Sequence, residues 1–174
     1  MKRVILVFFL SFFSITLNAA DTWTSSFSEE GRNYQNCPLR TALKGIQCTG
    51  GYCDNISLYC GELEDNYGGH WKKRISEERR GGSDTVDGII VRKNDYMQRC
   101  DVRGYITGMQ CTGGNCDNIS LHCSTFINKQ PRNCSWTRWV SEEHGGRLIF
   151  GGKYAVAMEC KGSRCDNKRF YVCS

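Results

Sequence analysis

Three Glu-Glu dipeptides follow three tryptophans at one spacing: Trp23 precedes Ser28-Glu29-Glu30, Trp71 precedes Ser76-Glu77-Glu78, and Trp136 precedes Ser141-Glu142-Glu143. Two carboxylates flanking a sugar bond are the machinery of glycoside hydrolysis. Adjacent strand residues point to opposite faces, however, so one dipeptide does not aim both carboxylates at one bond. A motif used three times on a small chain also fits a turn better than a reaction centre. No residue is therefore assigned as catalytic. The enzymatic alternative is a secreted glycosidase or transglycosidase working through carboxylates such as Glu77 or Glu142.

Other groups have the chemistry to bind. Asp54-Asn55, Asp117-Asn118 and Asp166-Asn167 offer hydrogen-bonding groups beside Gly-rich loops, although the same side chains also fix turns through nearby backbone N–H groups. Trp139 has no tryptophan at its counterparts, Ser26 and Arg74, and an unshared indole is a candidate for stacking on a ligand. Lys72, Lys73, Arg74, Arg79, Arg80, Arg92 and Lys93 gather positive charge that would suit an anionic glycan. Glu77, Glu78, Asp84, Asp87 and Asp95 interrupt that run as they would on a solvated face. The candidate ligand-binding residues are thus Trp139, Asp54, Asn55, Asp117, Asn118, Arg79 and Arg80. His70, His122 and His144 sit in no nucleophile motif. No cofactor or metal is expected.

The elements that would position these residues repeat. Residues 48–60, CTGGYCDNISLYC, and 111–123, CTGGNCDNISLHC, agree at eleven of thirteen positions, and CKGSRCDNKRFYVC at 160–173 is a third copy. The repeats run over 22–60, 66–123 and 133–173. Ile56, Leu58 and Cys60 alternate with Ser57 and Tyr59, which is the period of a half-buried strand. Tyr105, Thr107, Met109 and Cys111 alternate likewise, as do Tyr154, Val156, Met158 and Cys160. With Gly-rich turns between short strands and no helical periodicity, the chain reads as all-β. The third copy has one extra residue before its last cysteine, which predicts a bulge near Lys168-Arg169. Copy two carries an excursion at 79–99 in which Asp87-Gly88 precedes Ile89-Ile90-Val91, the pattern of a hairpin. Trp23, Trp71 and Trp136 recur in register and are expected in the interior.

Residues 1–20 have a basic start, an apolar run too short to span a bilayer, and small residues before Asp21, as in a cleaved signal peptide. Its loss leaves residues 21–174 as one domain and lowers the formal charge from +5 to +3 by removing Lys2 and Arg3. That balance is too mild for a nucleic-acid binder, and no later segment reads as transmembrane. All twelve cysteines follow the leader. In an exported chain they read as disulfides, with structural zinc as the competing account of the C-x4-C spacing. Cysteines 48 and 53, 111 and 116, and 160 and 165 close short loops. The remaining expected pairs are 37 with 60, 100 with 123, and 134 with 173, where Ile149 stands in the place of Cys37 and Cys134 substitutes from upstream.

Gly68-Gly69-His70-Trp71 opening a repeat, and Asn55-Ile56-Ser57-Leu58-Tyr59-Cys60 closing one, resemble the vitelline membrane outer layer protein I family. The resemblance covers the chain beyond the leader as a pattern of turns, tryptophans and closing strands. It implies a disulfide-rich β-prism: three Greek-key sheets about a pseudo-threefold axis, one per repeat. It also implies the roles of extracellular coat protein or carbohydrate binder, and a lysozyme-like sugar transfer attributed to the family. The C-x4-C-D-N loops depart from its Asp-Asp-Thr-type run, and no catalytic residues carry over. The expected function is a secreted or extracellular (periplasmic in a bacterium) binding module for surface glycans or extracellular matrix components. An inhibitor or effector presenting the 79–99 excursion to a protein partner is the third reading.

Overall fold

A computed structural model describes residues 21–63, 66–76, 85–86, 89–90 and 96–174. Residues 1–20, Glu77, Arg79 and Arg80 lie outside the described residues. Fifteen strands and no α-helix form among the described residues. In the first repeat these are β1 (Thr22–Trp23), β2 (Tyr34–Asn36), β3 (Thr41–Thr49) and β4 (Asn55–Glu62). The second holds β5 (Asn66–Trp71), β6 (Ile75–Ser76), β7 (Thr85–Val86), β8 (Ile89–Ile90), β9 (Tyr96–Arg99), β10 (Gly104–Thr112) and β11 (Asn118–Phe126). The third holds β12 (Ser135–Trp136), β13 (Arg147–Ile149), β14 (Tyr154–Lys161) and β15 (Asn167–Cys173).

Each repeat builds one long hairpin, β3–β4, β10–β11 or β14–β15, turning through its C-x4-C loop. The sheets then exchange strands. Their orders are β1-β4-β3-β13, β2-β10-β11-β5 and β12-β15-β14-β9, all antiparallel, with β6 also on β11. The first repeat lends β2 to the second sheet, the second lends β9 to the third, and the third lends β13 to the first. In the excursion, Thr85 pairs with Ile90 and Val86 with Ile89 as an antiparallel ribbon; Asp87 and Gly88 themselves lie outside the described residues.

The alternation read in the sequence holds in the closing strands, where Ile56, Leu58 and Cys60, and Ile119, Leu121 and Cys123, are buried. These side chains share one core with Leu43, Ile46, Ile106, Met109, Met158 and Phe170 from all three sheets. Full burial contributes about 1.5–3 kcal/mol for each large aliphatic side chain. In the preceding strands the alternation breaks. Registers shift between Leu43 and Gly45, Ile106 and Gly108, and Ala155 and Ala157, one bulge at the same place in each sheet. The bulge re-aims a carbonyl. Lys44 O, Thr107 O and Val156 O accept from the backbone N–H groups of Phe150, Cys37 and Cys100, each the residue that follows a donated strand.

That geometry corrects three expectations. The bulge near Lys168-Arg169 is absent: Cys160 pairs with Lys168 and Glu159 with Arg169 in regular register. The extra residue instead moves the last cysteine to the opposite face, and Lys168 enters the core at the place of Ile56 and Ile119. Phe150, not Ile149, is the equivalent of Cys37. The repeated tryptophans lie on outer faces rather than inside: Trp71 is 40% exposed and Trp136 36%.

The six disulfides pair as the spacing predicts, 37–60, 48–53, 100–123, 111–116, 134–173 and 160–165. Strand exchange gives two of them a wider reach. Cys37 follows the strand lent to the second sheet yet bonds Cys60 in the first, and Cys100 follows the strand lent to the third sheet yet bonds Cys123 in the second. Cys134–Cys173 ties β12 to β15 within one sheet. At the remaining junction, between the third sheet and the first, Phe150 packs against Phe170 with ring centroids 5.2 Å apart.

Candidate functional site

The repeated loops are occupied by their own structure. Gly50, Gly113 and Gly162 have φ of +77°, +76° and +81°, and a Cβ at each would overlap the following Asp side chain. Asn55, Asn118 and Asn167 donate their amides to Asp54, Asp117 and Asp166 at 2.7, 2.5 and 2.8 Å. The four Asp and Asn candidates of the first two repeats are thus half-buried and bonded to each other across the loop base. In the first and third repeats the first glutamate of the pair reaches the loop of the next repeat. Glu29 Oε1 accepts from Asn115 N–H at 2.6 Å, and Glu142 Oε1 accepts from Tyr52 N–H at 3.0 Å. Tyr52 and Asn115 have left-handed φ of 62° and 55°, as do the cysteines after them. Consecutive N–H groups in such turns form a concave seat for an anion. Glu29 also lies beside Cys111 and Cys116, but those sulfurs are bonded to one another and offer no thiolate to a metal.

The tryptophans stack outside. Trp23 lies 5.0 Å from Tyr59, Trp71 5.1 Å from His122 and Trp136 5.1 Å from Tyr171, the same pairing on each sheet. On the first sheet the Arg147 guanidinium lies 4.6 Å from the ring centroid of Trp23; on the third sheet two tryptophans and two cations come together. The Arg169 guanidinium lies 4.6 Å from the ring centroid of Trp136 and 4.6 Å from that of Trp139. Arg169 Nε donates to Glu159 Oε2 at 2.5 Å, directly across the β14–β15 pair. The exposed Lys161 ammonium stands 4.2 Å from the centroid of Trp139. Cation–aromatic contacts contribute about 0.5–2 kcal/mol each, and here they immobilise the charges as much as they stabilise the sheet. With Nε held by Glu159, Nη1 and Nη2 make no hydrogen bond among the described residues, and their fork matches a carboxylate or a sulfate.

Trp139 is therefore where an unshared residue meets other unshared residues. The cross-strand pair Glu159–Arg169 is Gln47–Ser57 in the first sheet and Gln110–Ser120 in the second, and Lys161 is Thr49 and Thr112. Arg169, Lys161 and Glu159 escaped the sequence reading because each is an ordinary charged residue. The signal was available in the departures from the other two copies. Compared with protein-family models, curated proteins and solved structures, the chain matches none.

Proposed function

We propose that this is a secreted, disulfide-locked β-prism with pseudo-threefold symmetry that binds surface carbohydrate through the outer face of its third sheet, and that the carbohydrate is acidic. Six disulfides fit an oxidising compartment. No helix among the described residues is long and apolar enough to cross a membrane. The closed cycle of strand exchange among the three sheets supports the prism. One observation carries the functional reading: Arg169, held between Trp136 and Trp139 and fixed by Glu159, has its outer nitrogens free among the described residues, beside the Lys161 ammonium. Pre-held cations lose little conformational freedom on binding. The rings are covered by cations, which favours salt contacts with an acidic sugar over stacking of nucleobases.

A glycan array carrying neutral, sulfated and uronic-acid saccharides tests this directly. The protein is expected to retain acidic glycans. Arg169→Ser is expected to lower affinity roughly tenfold or more, since a hydrogen bond to a charged group contributes about 1.5–3 kcal/mol. Retention of single-stranded DNA but of no acidic glycan, or binding indifferent to Arg169→Ser, would overturn the proposal.

A further inference from the structure

The second sheet carries a different kind of site. Its closing strand has His122 where the first and third sheets have Tyr59 and Tyr171, so the stack on Trp71 is completed by a smaller ring. Directly beside it, Gly69 pairs with Ser124, and a Cβ there would overlap the imidazole. The missing bulk leaves a cavity of about 330 Å³ between the β2 end, Gly68-Gly69 and the outer face of β10–β11, at the small end of the range for ligand pockets.

The lining is polar on one side and apolar on the other. Ser124 Oγ and Thr107 Oγ1 are 2.9 Å apart, and Thr107 Oγ1 lies 2.9 Å from His122 Nδ1. His122 Nδ1, Thr107 Oγ1 and Ser124 Oγ thus form one hydrogen-bonded chain along the polar wall, its donor direction set by the imidazole tautomer. Burial, helped by nearby His70, holds the imidazole below its ordinary pKa of 6.5 and so neutral at pH 7. Asn36 adds an amide, while Pro38 and Leu39 supply the apolar wall. Trp71 and Tyr34 form an edge-to-face aromatic ledge beyond His122, with centroids 6.2 Å apart. Among the described residues no Asp, Glu, Lys or Arg lines the cavity.

An uncharged, hydroxyl-bearing ring with one apolar face meets these demands. We infer that the second sheet holds a neutral pyranose residue in the cavity bounded by His122, Thr107, Ser124, Asn36 and Leu39, independently of the acidic contact on the third sheet. The chain then carries two chemically distinct sugar contacts. Linked weak sites of this kind gain avidity on a repetitive surface.

The test is a titration of the full chain with methyl glucoside, galactoside, mannoside and N-acetylglucosaminide, followed by NMR of the His122 ring and the Trp71 indole. At least one glycoside is expected to shift both signals. His122→Tyr installs the residue of the first repeat and is expected to abolish the shifts. Asn36→Ala, on an exposed edge strand, is expected to weaken the same binding severalfold and stands in should the tyrosine variant misfold. The inference is overturned if no glycoside moves either signal, or if the shifts survive both substitutions. Neither result bears on the acidic glycans, which are read on Trp139.

Discussion

Replacing Lys168 with isoleucine, the residue at its place in the other two sheets, is expected to stabilise the protein. The Lys168 side chain is fully buried, and its ammonium donates to Cys165 O at 2.7 Å. Burial lowers its pKa from 10.5 to about 8 against the opposing pull of Asp166, Glu142 and Asp54. At 1.36 kcal/mol per pH unit, carrying the charge in the fold costs about 3 kcal/mol at neutral pH. Losing the bond to Cys165 O returns roughly 1 kcal/mol of that. A net gain of about 2–4 kcal/mol is expected for Lys168→Ile at pH 7, with the apolar side chain filling the space. The sign with pH follows from a depressed folded pKa. Below about 8 both folded and unfolded chains hold the proton, and the full cost applies; above 10.5 neither does, and the cost vanishes. Wild-type stability attributable to this group therefore rises from pH 8 upward, and the advantage of the variant shrinks over the same interval. Guanidinium unfolding with disulfides intact, at pH 7, 8, 9 and 10, measures both quantities. A destabilised variant, or an advantage unchanged across that interval, would refute the reasoning.

Loss of the inter-sheet tie in a Cys37→Ser, Cys60→Ser variant is expected to cost about 3 kcal/mol, and loss of the loop closure in Cys48→Ser, Cys53→Ser about 2, from chain entropy over separations of 23 and 5 residues. Unfolding curves that rank the two the other way would show that loop length is not what sets the difference. Glu29→Ala is expected to cost roughly 1–3 kcal/mol and to speed hydrogen exchange at the Asn115 amide, because that N–H loses its carboxylate acceptor. Glu30→Ala, on an exposed side chain, serves as the comparison; equal effects from the two would remove the docking role of the first glutamate.

Much of the scaffold was legible because it is local. The C-x4-C loops close on themselves, the alternation of Ile56, Leu58 and Cys60 marks a buried face, and Asp87-Gly88 announces a hairpin. Strand exchange was not legible, since nothing in Tyr34–Asn36 says which repeat it will join. The tryptophan faces failed for a related reason. Recurrence in register shows that Trp23, Trp71 and Trp136 are equivalent, but their side is set by cross-strand partners, Tyr59, His122 and Tyr171. The bulge at Lys168-Arg169 rested on aligning Cys173 with Cys60, whereas the chain keeps its register and moves the cysteine. At the candidate site Trp139 stood out by having no tryptophan counterpart. Arg169, Lys161 and Glu159 acquire meaning only once β14 and β15 are paired, and His122 only as a tyrosine lost beside a glycine.

Acidic sugars are expected to settle on the third sheet. Indole N–H chemical shifts of the tryptophans, followed during titration with sulfated and uronic-acid oligosaccharides, report it directly. Trp136 and Trp139 are expected to move with Trp23 unchanged, and that movement is expected to be lost in Arg169→Ser. Saturable binding that moves Trp23 while leaving Trp139 in place, or no movement with any acidic oligosaccharide, would contradict it.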